Sequence, residues 1–277
     1  MKIKLIEPRG FCFGVRRALD ILDGIRERPV YVLHEVVHNQ NIVNYYKQQG
    51  FIFVDDLSEV SDNSVLVFSA HGVSQQIENE AKQKNLKIID TTCPFVKKVH
   101  RWVKSLEQQD RTIILIGKKA HAEIKGIQGQ LNNPQGAYII SNIDEIGTLP
   151  DLKKVGIATQ TTLSQTDTSK IIQKLQQKYT DCITQSGICQ ATTERQKALQ
   201  EACKECDTIL VVGDKNSSNC MRLIEIAQQN HRAVFLIEHA NDVERIKIQG
   251  TVGITAAASA PERIVQEVLK LLQSNRY

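Results

Sequence analysis

The sequence predicts an α/β protein, a trefoil of three pseudo-symmetric units with mainly parallel sheets around a common centre. Three observations lead there. Short β-rich runs alternate with polar helical stretches along the whole chain, the pattern of parallel α/β sheets. Three cysteines, Cys12, Cys93 and Cys189, each open a helical stretch and lie 81 and 96 residues apart. Three strands end in small hydroxyl-bearing turns, at 68–74, 158–164 and 254–259, and a helix follows each turn. An order of motifs that recurs in this way marks an internal repeat.

The first unit, residues 11–92, starts at Cys12, carries Arg16 and Arg17 early in its helix, and reaches a strand near Val30, 18 residues past the cysteine. Val65–Phe68 is a further strand and runs into Ser69, His71, Gly72 and Ser74. After the next helix, Lys87–Asp90 leads in extended form to Cys93. The second unit, 93–188, repeats the order with Lys97 and Lys98, a strand at Ile113–Ile116 that starts 20 residues on, the turn Ala158–Ser164, and an extended stretch Cys182–Thr184. The third, 189–277, has Arg195, strands at Ile209–Val212 and Ala233–Ile237, the turn Ile254–Ser259 and a last helix, with no strand after it. The N-terminal segment 1–10, with a strand at Lys2–Ile6 leading through Pro8, Arg9 and Gly10 into Cys12, supplies the missing member.

Composition narrows the function. The 277 residues are 41% hydrophobic and 24% charged, enough apolar surface for a core and against general disorder. Net charge is +4, which tolerates an anionic substrate without marking a nucleic-acid binder. Aromatics are 5%, too few for base-stacking platforms. No apolar run approaches the roughly 18 residues of a membrane span. The N-terminus reads as a strand with no signal or transit peptide before it, so a cytoplasmic protein is expected. Seven cysteines in such a compartment, an odd number, point to metal, catalysis or burial, not a disulfide framework.

Functional loops of parallel α/β sheets gather at the carboxyl ends of strands, so the repeat would bring Cys12, Cys93 and Cys189 to the axis. Any one alone reads as a buried thiol, but burial does not explain their equivalent places. Structural zinc takes four ligands, commonly from paired C-x₂₋₄-C knuckles, whereas these are isolated singles. They suit a [4Fe–4S] cluster in which one iron lacks a protein ligand and offers an open Lewis-acid position. A three-cysteine zinc site and a cluster-bearing sensor are the alternatives. Cys203 and Cys206 form a CxxC late in a helical stretch, not at a helix start as redox motifs do. They, Cys182 and Cys220 are read as structural.

The loops around the centre hold His34, His38 and Asn39; His71; His121 and Glu123; Gln160, Thr161 and Thr162; Lys215, Ser217, Ser218 and Asn219; and Ser259. Small polar groups at strand ends and helix starts make anion sites. No GxxxxGK[ST] or GxGxxG occurs in these loops, so neither a P-loop nor a dinucleotide fingerprint is supported. Ser259–Glu262 also reads as a capping box and Ser164 as a plain N-cap. His100, His231 and His239 are read as structural, and His34 leans the same way. Glu123, if shielded from water beside a metal, is a candidate proton donor.

These segments resemble the 4-hydroxy-3-methylbut-2-enyl diphosphate reductase family. They include Pro8–Cys12 with Gly14 and Val15, His34–Asn39, Phe68–Ser74, Thr92–Pro94, His121 with Glu123, Thr159–Ser164, Cys189 with Ala191–Thr193, Lys215–Asn219 and Ala258–Pro261, in the family's order. The resemblance implies a trefoil around an oxygen-sensitive [4Fe–4S] cluster held by Cys12, Cys93 and Cys189. It implies diphosphate binding by His38, His71, His121, Ser217, Ser218, Asn219 and Ser259, and proton delivery by Glu123 assisted by Thr161, with Thr162 nearby. The implied reaction is a reductive dehydroxylation of an allylic diphosphate to isopentenyl and dimethylallyl diphosphate, with electrons from reduced ferredoxin or flavodoxin. Phe13, Ala122, Ala257 and Cys220 depart from the family's usual small residue, proline, glycine and serine, which touches local loop geometry.

Overall fold

Parallel strands covered on both faces read as unbroken apolar runs, and middle strands of the computed structural model of this chain, such as Val65–Phe68 and Thr208–Val212, follow that rule. It describes residues 1–277 except Ser186, His231 and residues 275–277; the structural reading of His231 therefore lies outside the described residues. Two compact units are distinguished, one comprising Met1–Arg16, Val37–Asn44 and Gln190–Tyr277, the other Arg17–Val36 and Tyr45–Cys189. Elements are numbered along the chain.

The first of these units holds one sheet. Its strands are β1 (Ile3–Leu5), β10 (Thr208–Val212), β11 (Ala233–Ile237) and β12 (Val252–Ala256), in the order β11-β10-β12-β1 and all parallel. The strand expected at Lys2–Ile6 is β1, with Ile3 opposite Val252 and Leu5 opposite Ile254. Helices α7 (Gln190–Ala202), α8 (Ser218–Gln229) and α9 (Glu262–Ser274) belong to it. Leu199, Leu223, Ile264 and Val268 pack on Ile209, Val211 and Ile254 in the core, each fully buried aliphatic contributing about 1.5–3 kcal/mol.

The second unit holds two sheets of matching order. One is β2 (Val30–Leu33), β3 (Phe51–Val54), β4 (Val65–Phe68) and β5 (Lys87–Asp90), ordered β3-β2-β4-β5; the other is β6 (Thr112–Ile116), β7 (Tyr138–Ile140), β8 (Lys154–Thr159) and β9 (Asp181–Thr184), ordered β7-β6-β8-β9. All their pairings are parallel. Helices α3 (Gln75–Gln83), α4 (Pro94–Gln108), α5 (Ala122–Gln128) and α6 (Gln165–Lys178) lie here, while α1 (Phe13–Gly24) and α2 (Gln40–Gln48) have residues in both units. Helix α4 puts Val96, Val99, Val103 and Leu106 inward, and its Trp102 Nε1 donates to the Ile157 carbonyl at 2.9 Å.

Each sheet thus has one strand joined to the outside of the middle pair (β5, β9, β1) that leads into a cysteine, as the repeat required. The strands β3 and β7 were absent from that repeat. Both are edge strands with exposed members, Ile52 and Tyr138, and neither leads into a cysteine. No described helix is long and apolar enough to cross a membrane.

Candidate active site

In the first unit, Cys12 stands between β1 and α1. Its N–H donates to the Ala258 carbonyl at 3.1 Å, and its Sγ accepts from the Val15 N–H at 3.5 Å. The buried Arg195 donates through Nη2 to the Gly10 carbonyl at 2.7 Å, which holds the segment before Cys12. The Ala258 N–H donates to Asn219 Oδ1 at 2.9 Å. That bond orients the amide and leaves Nδ2 buried without a hydrogen-bond partner. A buried donor left unpaired costs about 1–3 kcal/mol, a cost an anion placed against Nδ2 would remove.

Ser217 caps α8, its Oγ accepting from the Cys220 N–H at 3.3 Å, and the first turn of α8 offers N–H groups and a positive dipole end. Ser259 does not form the capping box; its hydroxyl donates to the His38 carbonyl at 3.0 Å, because the chain reaches α9 only after Pro261. Asp214 accepts from the Gln40 N–H at 2.9 Å and the Asn216 N–H at 2.8 Å. Sequence reasoning missed it, since an Asp two residues past a strand reads only as a turn former. His38, Ser217, Ser218, Asn219 and Ser259 therefore share one neighbourhood at the ends of β10 and β12.

In the second unit, Cys93 is the N-cap residue of α4 without a side-chain cap bond. Its N–H donates to the Ala70 carbonyl at 3.0 Å, and the Cys189 N–H donates to the Thr161 carbonyl at 3.1 Å. Ala70, Thr161 and Ala258 are each the second residue past a strand, β4, β8 and β12 respectively. The three cysteines are thus tied to their sheets by the same bond. Arg17 Nη1 lies 3.4 Å from the carbonyls of both Thr91 and Thr92, steadying the approach to Cys93 as Arg195 steadies that to Cys12.

Glu123 sits in the first turn of α5 and is 2% exposed. Its Oε1 accepts from the Thr161 N–H at 2.6 Å and its Oε2 from the Thr161 hydroxyl at 3.0 Å. His121 caps the same helix through Nδ1, which accepts from the Glu123 N–H at 3.1 Å; an accepting Nδ1 puts the ring's proton on Nε2. The His71 ring meets that of His121 edge to face, with centroids 5.7 Å apart. Gln160 Nε2 donates to Thr162 Oγ1 at 3.0 Å, and its Oε1 accepts from the Lys118 N–H at 3.1 Å. Ser164 is the N-cap of α6, as its plain reading had it. His34 lies 3.6 Å from Asp55 in an exposed pair.

The other cysteines differ in kind. Cys203, Cys206 and Cys220 are buried, and burial raises their thiol pKa, that of Cys220 to about 12. Burial raises that of Cys182 as well. Cys12, Cys93 and Cys189 are partly exposed. Among the described residues, no three His, Cys, Asp or Glu side chains stand close enough to hold one metal ion.

Gly117 lets the second unit's loops close. A Cβ there would collide with Ile124 Cδ1 and lie 3.0 Å from Gln160 Cβ, between the helix of Glu123 and the strand end of Thr161. Gly117→Ala is expected to lower unfolding stability by about 1–3 kcal/mol through overpacking, measured by denaturant melting.

The chain matches the LytB protein family over residues 3–273. It is 44% identical to the 4-hydroxy-3-methylbut-2-enyl diphosphate reductase of Mannheimia succiniciproducens, across 99% of this chain and 90% of that one. It is 43% identical to the enzyme of the same name from Cronobacter sakazakii, with the same coverage. Among solved structures, the E-1-hydroxy-2-methyl-but-2-enyl-4-diphosphate reductase from Plasmodium falciparum superposes with a TM-score of 0.94 at 38% identity, covering 99% of this chain and 89% of that one. A structure of (E)-4-hydroxy-3-methyl-but-2-enyl diphosphate reductase, the terminal enzyme of the non-mevalonate pathway, gives 0.71 at 30% identity, covering 99% and 100%.

Proposed function

Since the chain belongs to the LytB family and is a 4-hydroxy-3-methylbut-2-enyl diphosphate reductase of the non-mevalonate pathway, we propose how its own residues divide that task. Cys12, Cys93 and Cys189 hold the family's iron–sulfur centre as a [4Fe–4S] cluster. What carries this reading is the one bond the three share, from each cysteine N–H to the second carbonyl past a strand. The donor set fits: three thiols that are not sealed in the core, on loops rather than in a knuckle. Isolated single cysteines differ from the paired knuckles structural zinc commonly uses, and three thiolates suit a cluster that leaves one iron without a protein ligand. When bound, the cluster supplies an open Lewis-acid position and passes electrons singly.

The protein's part is anion binding, orientation and proton supply. Asn219 Nδ2, the hydroxyls of Ser217 and Ser218, the Nε2–H of His121, His38 and His71, and the Ser259 hydroxyl once it turns from the His38 carbonyl, receive the diphosphate. Glu123 and Thr161 share a hydrogen bond between Oε2 and Oγ1 and deliver the proton that lets the allylic hydroxyl leave as water, with Thr162 beside them. The substrate takes two electrons and two protons, loses water, and becomes isopentenyl or dimethylallyl diphosphate. Reduced ferredoxin or flavodoxin supplies the electrons. The odd number of cysteines, seven, suits a reducing compartment and a cytoplasmic enzyme. Residues 11–92, 93–188 and 189–277 with segment 1–10 form the three repeat units.

Anaerobic incubation with 4-hydroxy-3-methylbut-2-enyl diphosphate, dithionite and methyl viologen tests the reading. Both isoprenoid diphosphates are expected; unchanged substrate from iron-loaded protein would count against it. His71→Ala and Asn219→Ala are each expected to weaken substrate binding by roughly 10- to 100-fold, since a hydrogen bond to a charged group is worth about 1.5–3 kcal/mol. The cluster spectrum should be unaltered. Calorimetric titration checks this, and equal binding of an analogue lacking the diphosphate would contradict it.

A further inference from the structure

The reductase needs electrons, and its loops carry no dinucleotide fingerprint, so a separate carrier must dock near the cysteines. The helix that starts at Cys93 is the best-equipped surface for this. Inward, α4 buries Val96, Val99 and Val103. Outward, Pro94, Phe95, Lys98 and Arg101 are exposed along one stripe. Phe95 is 41% exposed, an uncovered aromatic two residues from the cysteine. Phe13, which follows Cys12 in the other unit, is likewise exposed, at 63%.

Charge accompanies the aromatic. Helix α4 carries Lys97, Lys98, Arg101 and Lys104 against the single carboxylate Glu107. Lys97 is paired with Asp90 at 2.6 Å. Lys98, Arg101 and Lys104 have no ion pair among the described residues. Glu107 is engaged with the N–H groups of Asn132 and Asn133. A cleft of about 350 Å³ flanks the helix; Lys82, Lys97, Arg101 and Lys104 line it with Glu78 and Asp90, so cations outnumber carboxylates there too. The chain as a whole is only +4, which makes this a local concentration of charge. At 1.5 Å rise per residue, Lys98 and Arg101 lie about 7.5 and 12 Å along the axis from Cys93.

We propose that the outer face of α4, from Phe95 to Lys104, is the docking surface for a small acidic one-electron carrier protein. The proposal rests on the reading that Cys93 holds the cluster and deepens it by naming where its electrons arrive. Phe95 supplies an apolar anchor beside Cys93, and Lys98, Arg101 and Lys104 steer and orient the carrier's carboxylates, as complementary charge does at transient interfaces. Two reduced carriers each give one electron and leave oxidised; the substrate gains both electrons with two protons and releases water.

The test uses the cluster-loaded protein and flavodoxin as the acidic carrier. Lys98→Glu/Arg101→Glu is compared with Lys170→Glu/Lys174→Glu, a matched charge reversal on α6. Binding of oxidised flavodoxin is measured by calorimetry at low and high salt, and turnover is measured with reduced flavodoxin and, separately, with dithionite and methyl viologen. The α4 variant should bind flavodoxin at least about 10-fold more weakly at low salt, with a flattened salt dependence. Its flavodoxin-driven turnover at limiting carrier should fall in parallel, while dye-driven turnover stays within about twofold of wild type. Unchanged flavodoxin binding in the α4 variant would overturn the proposal, as would an equal loss in the α6 variant. Absence of dye-driven turnover in the wild type would instead defeat the functional reading beneath it.

Discussion

Cys93→Ser is expected to yield a folded protein that does not hold an intact cluster and has no measurable turnover. A serine hydroxyl keeps the backbone bond from residue 93 to Ala70 but removes the thiolate that iron requires. Cys12→Ser and Cys189→Ser should behave alike, because each residue occupies the same place past its own sheet. Cys203→Ala and Cys206→Ala are the contrast. Both thiols are buried in the core of the first unit, so their loss should cost about 1 kcal/mol of stability for the methyl-sized void and leave the anaerobic absorption spectrum near wild type. An active cluster in Cys93→Ser would remove that residue from the ligand set.

Glu123→Gln is expected to lower turnover by about 10²–10⁴-fold, the usual contribution of a general acid. The substitution keeps the side-chain shape and an oxygen to accept from Thr161, but it removes the dissociable proton. Cluster spectrum and substrate affinity should stay near wild type. Glu123 also holds the Thr161 loop through two hydrogen bonds, so a purely structural role predicts a different outcome: weaker binding, a lower melting temperature and turnover restored in proportion to bound substrate. Thr161→Val, which retains the N–H bond and deletes the hydroxyl, separates the two oxygens of Glu123. A fall in turnover with unchanged melting would place the Oγ1–Oε2 contact in the proton path.

The three-fold order was readable in the chain because two signals coincided: cysteines opening helices, and hydroxyl turns closing strands. The closing strand β1 follows from that order. What stayed hidden was set by tertiary contacts. The edge strands β3 and β7 lead into no cysteine and fall outside the recurring order of cysteine, strand and hydroxyl turn. Ser259 matches a capping box in letters, yet its hydroxyl is taken by the His38 carbonyl, a contact 221 residues away in sequence. Arg17 and Arg195 read only as basic residues early in a helix. Each reaches the carbonyls that precede a different cysteine, which local sequence cannot express. The unpaired Asn219 Nδ2 is likewise a product of its bond to the Ala258 N–H.

That three thiolates share one iron–sulfur centre is tested most directly by metal and acid-labile sulfide analysis of protein purified without oxygen. About four iron and four sulfide per chain are expected, with that content lost in the Cys93→Ser protein prepared in parallel. Stoichiometric zinc without sulfide, or an unaltered iron and sulfide content in Cys93→Ser, would contradict it.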